Sequence, residues 1–567
     1  MRTLKLTSPT FLLKSVFTAS LMLSFFAAST HAQVPHGHQS GDRIQLGRVS
    51  FPFSCSAELQ TQFNRGVAWM HSFEYEEAEK VFSGITAADP KCAMGYWGIA
   101  MSRYHPIWAP PSVADLRAGR EALDKAKIAG APTQRERDYI EAAGAFYTDI
   151  ETDDHRARSN AFSDAMERLY ERYPTDNEAA VFYALTLVAK GMAAGDKNFV
   201  NEKKAAEILN RVLKLEPEHP GVTHYLIHGY DFPELAHLAL TAARRYAKIA
   251  PASAHAQHMP SHIFTRMGLW QEAIASNIDA RSSAEAYAVR HKMPGAWDEK
   301  LHAMDYLMYA YLQSGQDLKA KGVLDEMAAI KRVDPPNFKV AYSATAIPAR
   351  YALERRQWQD AAKMPIPPDL EGLNWQSYKW ATAHIHFARA IGAARMGDAA
   401  SVRQEVEKLT SIRQELLDVK GDYDWGKQVE IERQVAAAWL AYAEGNHEES
   451  IRLMRLAAEL DDATEKHPVT PGSIMPAREQ LGELLFELKQ PAAAMAEFES
   501  ALRRTPNRFN AVYGAARSAK LMGDLKRASA HYRDLVNISP LADSPRPEIQ
   551  EAKEFLNGPK GERTSKQ

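Results

Sequence analysis

The chain has 567 residues, 45% hydrophobic and 25% charged, with a formal net charge of −2. That composition is globular and excludes a disordered or fibrous chain. The near-zero charge offers no basic footprint for nucleic acid, so no nucleic-acid partner is expected.

Arg2, Lys5 and Lys14 open the chain, residues 15–28 are apolar and uncharged, and Thr30 and Ala32 offer small residues before Gln33. This pattern predicts a secretory signal peptide over 1–32. The apolar run is shorter than the roughly 20 residues of a membrane span. The mature chain is therefore expected to carry no span and to be periplasmic or secreted. Residues 33–54 hold His36 and His38 without periodicity and read as a flexible leader. Cys55 and Cys92 are the only cysteines and bracket the first periodic unit. In an exported chain an even count points to a disulfide, which would stabilise by about 3–4 kcal/mol through loop closure.

From residue 59 a 34-residue period sets in, with Gly66, Trp69, Ala78, Phe82 and Pro90 at positions 8, 11, 20, 24 and 32 of unit 59–92. Gly482, Ala494, Phe498, Ala501 and Pro506 keep the register in 475–508, and Ala516, Ala528, Tyr532, Leu535 and Pro540 keep it in 509–542. Small residues let two helices approach, large ones fill the space beside them, and the late proline ends the second helix. The pattern resembles the tetratricopeptide repeat, a helix–turn–helix unit. The resemblance implies an all-α fold, a right-handed superhelical solenoid in which each repeat packs on its neighbours. Units fall near 59–92, 93–126, 177–219, 220–253, 254–287, 301–334, 342–375, 383–416, 431–464, 475–508 and 509–542, with 127–176 helical but irregular. We divide the chain into an N-terminal solenoid over 55–287, a C-terminal solenoid over 288–542 and a tail over 543–567. Repeats of this family offer a concave groove to protein or peptide partners.

No G-x-S-x-G, phosphate loop, G-x-G-x-x-G or H-E-x-x-H occurs, and no catalytic residue is assigned. Histidine placement carries the functional signal. His224 and His228 form an H-x-x-x-H pair, and His258 and His262 repeat it 34 residues later, at positions 5 and 9 of adjacent units. Residues four apart share a helix face, and in these repeats positions 2, 5, 9, 12 and 13 of the first helix face the groove. Four imidazoles on neighbouring helices are expected to hold one transition metal ion: zinc, copper or iron. His255 and His302 at position 2, Asp305 at position 5, and His71 and His105 at position 13 are weaker candidates. Pro260 interrupts the second pair, so the helix starts late or breaks there. Asp231 is read as either an added oxygen ligand or a helix cap.

The segment HYLIHGYDFPE (224–234) and HMPSHIFTRMG (258–268) resembles a sparsely characterised group of exported bacterial repeat proteins. Three functions follow as expectations: a scaffold with a histidine-rich metal site in its groove, a metal-dependent hydrolase or oxidoreductase using that site, or a metal-free interaction scaffold.

Overall fold

The repeat packs by slotting one ring between two glycines. Phe82 lies between Gly66 and Gly98, where an added Cβ would sit 2.7 and 2.3 Å from its ring. Phe498 is held in the same way between Gly482 and Gly514. These contacts are the physical content of the 34-residue register.

The computed structural model describes residues 44–558 except 109, 152–153, 367–369, 420 and 422. The segment read as a signal peptide, the leader's His36 and His38, and the last nine residues of the tail lie outside the described residues. Helices follow one another in pairs: α1 (Gln60–His71) and α2 (Tyr75–Ala88), α3 (Ala93–Met101) and α4 (Val113–Ala129), α5 (Gln134–Phe146) and α6 (His155–Arg172), α7 (Asn177–Ala194) and α8 (Val200–Leu215). Next come α9 (Pro220–Gly229) and α10 (Leu240–Ile249), then α11 (Ala254–His258) and α12 (Pro260–Arg266) against α13 (Trp270–Arg290). They are followed by α14 (Asp298–Gln313) and α15 (Asp317–Ala329), α16 (Phe338–Glu354) and α17 (Trp358–Ala362), α18 (Lys379–Arg395) and α19 (Ala399–Glu415). The series ends with α20 (Trp425–Ala443) and α21 (His447–Ala463), α22 (Ala477–Glu487) and α23 (Pro491–Arg504), α24 (Phe509–Leu521) and α25 (Leu525–Ile538), and α26 (Pro547–Asn557). Two dipeptide strands, β1 (Ala296–Trp297) and β2 (Val333–Asp334), pair in parallel. Cys55 and Cys92 are joined, with their Cα atoms 5.3 Å apart.

The expectation that each repeat packs only on its neighbours does not hold. Helix α1 packs on α9, and α14 on α24. Gly268, in the left-handed region at φ +64°, passes so close to the 506–507 turn that a Cβ would lie 2.2 Å from the Pro506 carbonyl. Trp270 Nε1 donates to the Asn507 carbonyl at 2.9 Å. Arg508, fully buried, donates to Glu479 at 2.8 Å, to Glu354 at 2.7 Å and to the Tyr309 hydroxyl at 3.1 Å. The C-terminal repeats thus supply cations and turns that the middle of the chain needs, and charge pairing overrides the one-dimensional stacking rule.

The 464–476 connection does the same for the histidine region. Lys466 Nζ meets Asp231 at 3.0 Å, Tyr306 donates its hydroxyl to the Thr470 carbonyl at 3.1 Å, and Arg350 donates to the Gly472 carbonyl at 2.6 Å.

Candidate metal centre

Helices α9, α11, α12 and α14 bring six imidazoles together, each between 0 and 6% exposed. They form two triads, His224/His228/His255 and His258/His262/His302, and within each triad one nitrogen per ring lies within 4.8 Å of the others. This corrects two expectations. The two H-x-x-x-H pairs do not surround one point, because each pair recruits its own third ring from a position-2 histidine. The groove positions are also buried, because the first repeat and the 464–476 connection cover them.

Pro260 sits at the first position of α12, and Met259 joins the two short helices. The break turns His258 back toward its partner, so its Nε2 still lies 3.0 Å from His262 Nε2. His302 lies beside His258, its ring tilted at 49° and its centroid 4.0 Å away. In the other triad His224 Nε2 lies 3.0 Å from His228 Nε2 and 3.1 Å from His255 Nε2.

The hydrogen bonds on the far side of the rings decide where the protons are. Asn277 Nδ2 donates to the Ala273 carbonyl at 2.8 Å, which leaves its Oδ1 facing His258 Nδ1 at 2.7 Å. His258 must therefore carry its proton on Nδ1. His262 Nδ1 donates to the Asp231 carboxylate at 3.0 Å. Both Nε2 atoms are left with bare lone pairs, pointing at each other 3.0 Å apart. Two such lone pairs repel; a cation between them removes the conflict. His224 Nδ1 likewise donates to the His71 carbonyl at 2.7 Å, so its Nε2 offers one lone pair to two neighbouring nitrogens.

Burial lowers the pKa of all six rings, His224 to about 3 and His228, His255, His258 and His302 well below the ordinary value. For His262 burial lowers it while Asp231 pulls the other way. Neutral rings are the form that binds metal. Burial pushes the Asp231 carboxyl up, but Lys466, Arg266 and His262 outweigh it and hold it well below its usual range. Asp231 is neither ligand nor cap: it orients His262, as carboxylates commonly do for metal-binding histidines.

A third group, His71/Glu178/His219, is equally close, yet its protons balance. His71 Nε2 and His219 Nε2 donate to the two oxygens of Glu178 at 2.9 and 3.1 Å. The other nitrogens accept from the Tyr225 hydroxyl at 2.8 Å and the Val222 amide at 3.4 Å. No lone pair is left facing another, so this group is a clamp that fixes His71 and, through its carbonyl, His224. Asp305 is not placed with either triad: it pairs with Arg350, which the next unit supplies. His105 belongs to none of the three groups and stacks on Tyr75 at 4.7 Å.

Four residues at the site carry no signal in the histidine spacing: Asn277, Glu178, Tyr306 and Phe73. Phe73 stands at φ +56° in the α1–α2 turn, at the turn position where Gly268, Gly315, Gly397, Gly445 and Gly523 serve other repeats. Its ring lies 4.4 Å from His224 and stacks over His228 and His255 at 5.5 and 5.7 Å. Arg356 and Lys489 hold the same turn position at φ +55° and +61° in other repeats, so it is the ring contacts, and not the backbone, that mark Phe73.

Residues 476–508 match the tetratricopeptide repeat, and the helical hairpins on either side of them follow the same register. A tetratricopeptide repeat protein from Parabacteroides merdae is similar at 12% identity over 53% of this chain and 97% of its own, with a TM-score of 0.27. Yeast Tom70 is similar at 11% identity over 88% of this chain and 95% of its own, with a TM-score of 0.32. Human IFIT1, solved as a dimer with m7Gppp-AAAA, is similar at 11% identity over 83% and 94%, with a TM-score of 0.35. No curated protein matches the sequence. Among the described residues, no helix is long and apolar enough to cross a membrane.

Proposed function

We propose that this protein is a tetratricopeptide-type scaffold that binds transition-metal ions at the two histidine triads. The observation that carries the reading is the pair of bare Nε2 atoms of His258 and His262, 3.0 Å apart with both Nδ1 protons committed elsewhere. Three neutral imidazoles per ion leave an open coordination position, the arrangement of catalytic rather than closed structural sites, so a metal-dependent enzyme is the form of this reading to assay once metal is found. We place the protein outside the cytoplasm; the basic and apolar start of the chain and the Cys55–Cys92 bridge support that placement.

The test is elemental analysis of the purified full chain, with thermal melts in the presence and absence of a chelator. Metal at a hundredfold excess over its dissociation constant should stabilise the fold by about 2.7 kcal/mol. The chelator should remove that gain from wild type and have no effect on His228→Ala/His262→Ala. If no stoichiometric metal is found and wild-type melting ignores the chelator, the metal reading is wrong. The histidines are then core residues of a metal-free interaction scaffold.

A further inference from the structure

The two triads are neighbours as well as copies. The rings of His228 and His262 lie 6.2 Å apart between centroids, so six imidazoles run without a break from His255 to His302. No carboxylate belongs to either triad. The nearest one, Asp231, already receives His262 and Lys466 on one oxygen and Arg266 on the other.

A buried site built only from neutral ligands limits the charge of its ions. The solvation lost on burial grows with the square of the charge, and imidazoles bring no negative charge to offset it. Adjacent divalent ions would also repel each other, and the carboxylate that commonly bridges such pairs has no place here. Imidazole binds zinc, copper, iron and nickel. Of these, copper has an accessible monovalent state, which halves the charge brought into the site.

Resting on the metal-binding reading above, we propose that the triads form one dinuclear copper centre. His224, His228 and His255 hold one cuprous ion, and His258, His262 and His302 hold the other. Two-metal sites generally place their ions about 3.5–4 Å apart, a spacing that adjoining rings 6.2 Å between centroids accommodate. Burial of all six rings confines further ligands of the pair to small molecules.

The test uses metal-free full-length protein, titrated anaerobically with cuprous ion in competition with a chromogenic cuprous chelator. Two equivalents should bind to wild type and one to His224→Gln/His255→Gln. Ferricyanide then removes one electron from each ion to give cupric copper, hydroxide from solvent offsetting the added charge; the ferrocyanide formed counts the electrons removed, and electron paramagnetic resonance reads the product. Wild type should show interacting ions, through a half-field transition or spin pairing, and the variant an isolated cupric signal. Two isolated cupric signals in wild type overturn the dinuclear centre and leave metal binding intact. Two equivalents of zinc that cuprous ion cannot displace overturn copper alone. No binding of any of these metals overturns this proposal together with the reading beneath it. Should the variant fail to fold by circular dichroism, the wild-type resonance spectrum decides on its own.

Discussion

The carbonyl of His71 accepts a hydrogen bond from His224 Nδ1 at 2.7 Å, across 153 residues of sequence. The first repeat therefore sets the tautomer of a ring in the fourth hairpin beyond it. Glu178 holds the His71 ring, and Gly221 lets that ring lie flat against α9: a Cβ there would be 2.7 Å from His71 Nδ1.

Gly221→Ala should push His71 out of this arrangement. Overpacking of a tight core site costs about 1–3 kcal/mol. Urea denaturation should show that loss, and metal affinity should fall with it. A variant as stable as wild type would mean that His71 can move without consequence.

Asn277 fixes the His258 tautomer through its Oδ1. Losing such an outer partner typically weakens metal binding by about 10–100-fold. Asn277→Leu should show that loss in a chelator competition, while Asn277→Asp, which keeps an acceptor, should retain most of the affinity. Equal affinities for all three would remove Asn277 from the site.

Phe73 combines backbone strain with a ring over the first triad. Phe73→Gly should relieve strain of order 1 kcal/mol while losing ring packing, so the net change in melting should be small. Metal exchange should become faster, since the ring no longer covers His224 and His228. Unchanged exchange in stopped-flow competition would show that the ring does not control access.

Removing the chain after Ile474 strips Arg508 from Glu354 and the Phe509 amide from Gln313. Leaving one partner of a buried ion pair costs about 3–5 kcal/mol. Hydrogen exchange of the truncated chain should therefore speed up in α14 and α16, which are remote from the cut in sequence. Loss of protection confined to α20 and α21 would restore the picture of repeats that stack only on neighbours.

Asp461 gives a pH dependence independent of the histidines. Burial, with Asp462 beside it, raises its carboxyl to about 6, even though the Ala477 amide and Ser473 hydroxyl donate to it. The folded chain thus holds this proton more tightly than the unfolded chain. The resulting stability is full below the unfolded pKa near 3.9 and is lost as pH rises through about 6. Asp461→Asn cannot ionise, so relative to wild type it should gain about 1–2 kcal/mol between pH 5 and pH 8, allowing for partial exposure. A gap that does not widen with pH would show that Asp461 titrates normally.

The repeat register was legible because its glycines and rings meet within one hairpin or the next: Gly66 and Gly98 around Phe82 need no distant partner. The same local logic singled out His224, His228, His258 and His262. Their division into triads was not legible, since the third rings come from position 2, and the helix break at Met259 decides where His258 points. Asp305 shares the position of His224 and His258 in its unit, but Arg350 from the following unit claims it. Asp231 looked like a cap because its sequence neighbours suit one; Lys466, 235 residues away, gives it another task. Repeat position says which face a side chain occupies, and long-range charge pairing says what it meets there.

The nitrogen set of the two triads exists only once residues 71, 231 and 277 have reached their rings. An unfolded chain has the histidines but not their tautomers, and so lacks the preorganised site. If the triads bind metal as proposed, the ion they trap is the one present where the chain finishes folding. Under the metal-binding proposal, the identity of the ion would record the compartment in which folding ended, as much as the ligands themselves.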